Sequence, residues 1–537
     1  MDKTNTFNSK ILFFWVLAGI LSLFVFVNYY NQVFPLASIK INLDKTKALK
    51  VATDFIERQG YSVEGYDYAL RFDSDYNASV YLQKKVGIAG ANFYARGEVP
   101  IWFWRVRFFK ELSKEGFIVD LNPTTGQIIT FKHFILEDHP GADIEQKQAR
   151  ALAKDKVQAL GANLDNYTLF DYGVKKRQQR TDYYYVWQKN DFSVKEANLR
   201  IKAQVQGGRL GGYSKYLKVP ETFLRDLDKQ VQLKSALKIA VNLLIFILIA
   251  FAIISIIYIK QINFDWRMGA YFGGIVILAG ILSFLNNLPL LWSFYSTTSS
   301  KILFFFNNLG SRLVDIFSGG FLVFALAAIG QSLAAHNKIE LPLINLFKKR
   351  KATYREFFTP FIVGYASGFI FLGYVTLFYL GAKEAVDIWM PPQTVYSNVL
   401  GTFAPFIFPL TLALTAAINE ELFFRLFAVS FLRRWLPLFL AILVPAVLWG
   451  FAHSHYAIFP AYIRGIELTI FGVFLGFVFI RYGLLSVVVA HFIIDAFLGG
   501  LPLLRSGDSY FFISGILVIA SAFLPLVVGL FLLQFNE

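Results

Sequence analysis

The chain has 537 residues, 55% of them hydrophobic and only 17% charged, with 58 Phe and a mean hydropathy of +0.48. No water-soluble protein of this size has a core large enough to hide that much apolar surface, so the composition implies an integral membrane protein. The 52 Lys+Arg against 37 Asp+Glu give +15 without any zinc-finger, P-loop or basic-helix motif to support nucleic-acid binding, and the absence of cysteine excludes disulfides, thiolate metal sites and thiol catalysis.

Residues 11–30 form an uncharged run of spanning length. It is longer than a signal-peptide core and no small-residue cleavage site follows, which predicts an uncleaved anchor over 1–30. From 31 to 236 the chain is polar and reads as two similar halves. Helical periodicity ends at a glycine in both 48–60 and 149–161, and a Tyr-bearing segment follows each. Next come an aromatic strand (101–109; 182–188) and a hairpin (117–131, turning at Asn122, Pro123 and Gly126; 198–213, turning at Gly207 and Gly208). A helix followed by a curled antiparallel hairpin, twice, resembles the PepSY-type domain of propeptides and membrane-protein ectodomains. The expected role of such a domain is to recruit substrate or to cover the site.

Apolar runs resume at 237–259, 268–290, 312–335, 358–381, 398–424, 436–454, 465–481, 484–504 and 511–534, with 301–310 as a candidate re-entrant or interfacial piece. The expected fold class is therefore a polytopic α-helical membrane protein of about ten transmembrane helices with an α+β extracytoplasmic domain. Lys338, Lys348, Lys349, Arg350, Lys351 and Arg355 crowd one short loop, whereas the next, with Lys383, Glu384, Asp387 and two prolines, is nearly neutral. By the positive-inside bias the first loop is cytoplasmic. Counting spans from it puts Lys3, Lys260, Arg267, Arg433, Arg434, Arg481 and both termini inside and 31–236 outside. The predicted divisions are 1–30, 31–236, 237–354 with the basic loop, a core at 355–505 and a last helix in 506–537.

Charges inside spans cost several kcal/mol and mark candidate sites. Nearly all of them fall in the last third: Glu420, Glu421 and Arg425; His453 and His455; Arg464 and Glu467; His491 and Asp495. Glu421 and Arg425 are four apart on one helix face and form an ion pair, which turns Glu420 about 100° away toward a cavity. His491 and Asp495 are again four apart and present an imidazole and a carboxyl group to one spot. A carboxylate beside imidazoles, in a chain with no Ser or Cys nucleophile motif, suits activation of water for amide hydrolysis. Arg464 and Glu467 read as anchors of a span end, and the abundant Phe and Trp as packing or lipid-facing residues.

Glu420-Glu421-Leu-Phe-Phe-Arg425 matches EExxxR, His491-Phe-Ile-Ile-Asp495 matches HxxxN/D, and an FxxxH-like segment lies between them. In that order, over roughly 355–505, the motifs resemble the CPBP family of CAAX prenyl proteases and bacteriocin-processing enzymes, the intramembrane glutamic endopeptidases. The resemblance implies a peptidase acting on membrane-associated protein or peptide substrates. Glu420 would be the general base, assisted by the histidine of the second motif; His491 and Asp495 would bind the oxyanion or orient water, and Glu421 and Arg425 would support the site. A literal FxxxH runs from Phe451 to His455, but the usual Phe-Gly-x-Ala-His pattern aligns with Trp449-Gly450-Phe451-Ala452-His453, so His453 is the expected member and His455 the alternative. Asp495 stands where Asn would donate a hydrogen bond without needing a proton of its own.

The predicted spans put His453 near the outer end of its helix and Glu420 nearer mid-membrane, so helices must tilt or break for the two to meet. No cofactor motif is present. Two His and a Glu also suit zinc, although HExxH spacing is lacking. A third reading is a non-catalytic scaffold or peptide receptor. The richness in Phe, Ile, Lys and Asn is bacterial in type, which argues against a prenylated substrate and leaves oligomeric state open.

Overall fold

The computed structural model describes residues 9–34, 41–258, 264–337, 354–386, 388–389, 399–524 and 526–527. Lys3, Lys260, the basic segment 338–353, Asp387, the prolines at 391–392 and the chain end at 528–537, on which the orientation rests, lie outside the described residues.

Helix α1 (Ser9–Val33) is not a detached anchor. Its Gly19 lets the backbone approach Ala366, where a Cβ would sit 3.1 Å from the Ala366 Cα, and its Trp15 Nε1 donates to Tyr482 Oη at 3.1 Å.

The polar domain then forms in two passes. The first has α2 (Lys45–Arg58), β1 (Asp67–Ser74), α3 (Tyr76–Arg96), β2 (Trp102–Phe109), β3 (Gly116–Leu121) and β4 (Ile128–Phe134). The second has α4 (Gln146–Ala159), β5 (Tyr167–Lys176), β6 (Thr181–Val194), β7 (Ala197–Gln206) and β8 (Arg209–Lys218). Each opening helix buries one stripe, Ala48, Ala52, Phe55 and Ile56 in α2 and Ala149, Ala153 and Val157 in α4, as the sequence periodicity requires. Both helices stop at a glycine with positive φ, Gly60 at +82° and Gly161 at +90°.

The strands make one antiparallel sheet in the order β1-β2-β3-β4-β8-β7-β6-β5. Each half is a four-stranded meander, and the last strands of the halves pair at the centre, Phe131 opposite Tyr213. The duplication read from the sequence is therefore also a structural near-symmetry. One element breaks it: α3, which the sequence reading took as part of the first Tyr-bearing segment, fills the place where the second half has only a tight turn between β5 and β6.

Among the described residues nine helices are long and apolar enough to cross a membrane. After α1 come α5 (Glu221–Tyr258), α6 (Trp266–Asn286), the single turn α7 (Leu288–Leu291), α8 (Lys301–His336), α9 (Tyr354–Val386) and α10 (Ile407–Glu420). A π-helical segment, Glu421–Val429, extends α10, and α11 (Leu438–Ala452), α12 (Ile463–Tyr482), α13 (Leu484–Leu504) and α14 (Ser509–Ser521) complete the bundle. The protein is thus a polytopic helical membrane protein carrying a sheet domain.

Three details differ from the sequence expectation. Residues 301–310 are the first turns of the unbroken α8 rather than a re-entrant piece. The span expected at 398–424 runs from Ile407 to Leu432, because a turn occupies 401–406. The tenth expected span, 511–534, is described only as the 13-residue α14 and a few residues beyond, the rest lying outside the described residues.

Candidate active site

Three chain segments converge in the bundle. The span Ile407–Leu432 turns back through 433–437 into α11, so depth can be counted from that turn. Glu420 stands 12 residues before Leu432, and His453 follows directly on Ala452, the end of α11, which begins at Leu438. At a rise of 1.5 Å per residue both lie on the order of 20 Å from the turn. The depth mismatch expected from the sequence vanishes once the span is shifted toward its C-terminal side.

The winding changes where the motif begins. The whole of Glu421–Val429 is π-helical and buried; such segments are rare, and many of those known mark functional sites. The wider turn keeps Glu421 and Arg425 in contact, Arg425 Nη1 donating to Glu421 Oε1 at 2.8 Å, both nearly inaccessible. The Arg425 guanidinium also lies 4.2 Å from the centre of the Trp449 ring, so the cation is held by a carboxylate and an aromatic face.

Glu421 has a second partner from α13, since the same Oε1 accepts from His491 Nδ1 at 2.8 Å. A carboxylate acceptor fixes the proton on Nδ1 and leaves Nε2 to face two further carboxyl groups, 3.9 Å from Glu420 Oε2 and 3.6 Å from Asp495 Oδ2. His453 is oriented in the same manner. Its Nδ1 donates to the Trp449 carbonyl at 2.8 Å, and Nε2 lies 3.6 Å from Glu420 Oε2. Both imidazoles therefore aim their distal nitrogen at one carboxylate oxygen. Accessibility separates the carboxylates: Glu420 and Asp495 side chains are 26% and 28% exposed, whereas Glu421 is 0% exposed, which leaves only the first two within reach of a bound molecule.

All seven candidate residues are described, and six come together. His455 does not: its Nδ1 bonds the Ala452 carbonyl at 3.0 Å and its ring is exposed, while His453 faces Glu420.

One residue was misread from the sequence, and one pair does more than its position suggested. Trp449, taken as packing, donates its indole N–H to Glu420 Oε2 at 2.5 Å. Its signal was its place four residues before His453, on the same helix face. Arg464 and Glu467 stand in the first turns of α12, at a span end as expected, but their partners lie inside the bundle. Arg464 Nη1 donates to Glu467 Oε2 at 2.5 Å, Glu467 is fully buried, and Tyr379 Oη donates to the same carboxylate at 2.8 Å. The Arg464 guanidinium lies over the ring of Tyr456, whose edge meets His453 at a centroid distance of 5.3 Å. Among the described residues no group of three or more His, Asp or Glu side chains is arranged to hold a metal ion.

Residues 402–497 match the family described as type II CAAX prenyl endopeptidase Rce1-like, a stretch that contains all seven candidate residues. Within the membrane core this stretch is thus similar to the CPBP family of CAAX proteases. The chain is also 24% identical over 515 residues to the sporulation-killing factor biosynthesis protein SkfC of Bacillus subtilis (strain 168), covering 92% of this chain and 96% of that one. The similarity thus runs through the sheet domain as well as the CPBP core. No solved structure matches the chain. At the coarse level these similarities support a membrane protease.

Proposed function

We propose that the protein is an intramembrane glutamic endopeptidase. Glu420 takes a proton from a water molecule in the cavity, and the oxygen attacks the carbonyl carbon of a peptide bond. His453 shares the base function through its Nε2; His491, when its Nε2 also carries a proton, and Asp495, in its neutral acid form, donate to the oxyanion or hold the water. Collapse of the tetrahedral intermediate breaks the C–N bond, and the proton collected at Glu420 passes to the leaving amine. Glu421 and Arg425 do no proton chemistry and serve to hold His491. The observation that carries this reading is the approach of both Nε2 atoms to one accessible carboxylate oxygen, at 3.6 and 3.9 Å.

The substrate class follows from the relative with matching length. SkfC is named for biosynthesis of a killing factor, and we extend that role to this chain: its substrate is a peptide or small protein precursor at the bacterial membrane, not a prenylated protein. The test is cleavage of a membrane-anchored peptide library by liposome-reconstituted wild type and Glu420→Gln, with chelator present. Cleavage by wild type alone is expected, with the variant down about a thousandfold or more. Equal cleavage by both proteins removes Glu420 as the base, and activity lost on chelation and restored by zinc moves the reading to a metalloprotease.

A further inference from the structure

Helix α5 leaves the sheet domain directly after β8, separated from it only by Val219 and Pro220, and then enters the membrane. At the border it carries Lys234, 4% exposed. Lys234 Nζ donates to the Tyr456 carbonyl at 2.8 Å and lies 3.1 Å from the centre of the Phe459 ring. Among the described residues no carboxylate pairs with it. A buried ammonium is costly, and an apolar side chain would fill the same space at less cost, so its retention calls for a specific use.

What it grips is the turn that carries His453. His453–His455 form one 3-10 turn, and Tyr456 N donates back to the His453 carbonyl at 3.1 Å. Phe459 then stacks on Trp389 at 3.9 Å between centroids, and the two residues exchange backbone hydrogen bonds.

The sheet domain sits on the same spot. Val80 of α3 and Leu227 of α5 are buried with Trp389 and Phe459 in one apolar cluster, and Lys84 of α3 lies over the Trp389 ring. The helix that breaks the symmetry of the sheet domain is thus the one seated on the turn that presents His453.

We propose that Lys234 is a positioning residue for the reaction, holding the 453–460 turn so that His453 faces Glu420, and that the seating of the sheet domain on this turn sets the activity of the site. The proposal rests on the functional reading of His453 given above, and two readouts keep their failures apart. In the full chain in liposomes, Lys234→Met should lower kcat on the membrane-anchored peptide library about tenfold or more with KM little changed. Lys234→Arg should recover most of the loss. Carbethoxylation of His453, followed by peptide mass mapping, should accelerate severalfold in Lys234→Met while that of His491 stays constant.

The modification rate needs no catalysis, so it reads the seat even if Glu420→Gln proves active and the glutamic mechanism falls. Unchanged His453 reactivity in folded Lys234→Met overturns the proposal, as does increased reactivity with wild-type kcat. If Lys234→Met does not fold, Trp389→Leu, which strips the stacked ring and leaves α5 intact, carries the same expectations and the same refutations.

Discussion

Glu420 accepts a hydrogen bond from Trp449 Nε1 while two imidazoles face the same oxygen, so the indole fixes the direction of the carboxylate. Losing a hydrogen bond to a charged group costs about 1.5–3 kcal/mol. Trp449→Phe, which keeps the ring over Arg425 but removes the donor, should therefore lower kcat by about tenfold or more; an unchanged kcat in the folded variant would reduce Trp449 to packing. Glu420, His453, His491 and Asp495 were legible in the sequence because a charge in a span is expensive and stands out. Trp449 was not, being one of 9 Trp in an apolar chain whose hydrogen bond exists only once α11 packs on the π segment.

A second residue-scale consequence lies in the sheet domain. His133 is stacked on Phe117 at 4.6 Å and packs against Tyr61, and burial, with help from His139, Arg180 and Arg209, depresses its pKa from 6.5 to about 4. The unfolded chain then binds more protons than the folded one between those values. Stability conferred by neutral His133 is complete above pH 6.5 and is lost as the pH falls toward about 4. The thermal midpoint of wild type should fall more between pH 7 and pH 5 than that of His133→Phe, and parallel pH profiles would contradict the assignment.

At the scale of elements, the site depends on two close contacts that hydropathy does not reveal. One is the π segment, whose extra width depends on tertiary packing. The other is the crossing of α11 and α12 at Gly450, where a Cβ would lie 2.5 Å from the Gly465 carbonyl oxygen and 2.7 Å from Thr469 N. Backbone atoms cannot move aside as a side-chain tip can, so Gly450→Ala must push the helices apart three residues before His453. Overpacking of this kind costs about 1–3 kcal/mol. A lowered thermal midpoint is expected together with a loss of turnover larger than the stability change explains; a variant that matches wild type in both would show that the crossing has slack. The apolar stretches themselves were legible, since twenty apolar residues have few other uses, but the span carrying Glu420 was expected several residues too early because the uncharged turn at 401–406 continues the apolar run.

For the whole molecule, the duplication in the polar region was readable because two helices ending at glycines and two glycine-turned hairpins recur in the same order. The attachment of that region to the bundle was not. It depends on pairs far apart in the chain: Lys45 Nζ on the Thr402 carbonyl at 2.7 Å, Arg107 Nη1 on the Tyr295 carbonyl at 2.6 Å, the ion pair of Lys301 with Asp67, and the seat on Trp389 and Phe459. No periodicity in a single segment encodes such pairs. They fasten the sheet domain to the bundle along several of its loops.

Helix α11 has 15 residues, about 22 Å of rise, against a hydrocarbon layer about 30 Å thick. Its neighbour α12 has 20 residues and meets that thickness. Around α11 the lipid must either thin or let the polar end of the helix sink beneath the headgroups, and the sheet domain fastened above leaves little freedom to tilt. Acyl-chain length thus becomes a mechanical load on the 453–460 turn. In vesicles of monounsaturated phosphatidylcholines, turnover should be highest with short chains and fall as they lengthen, while a flat response would mean that the bundle carries its own thin annulus of lipid wherever it is placed.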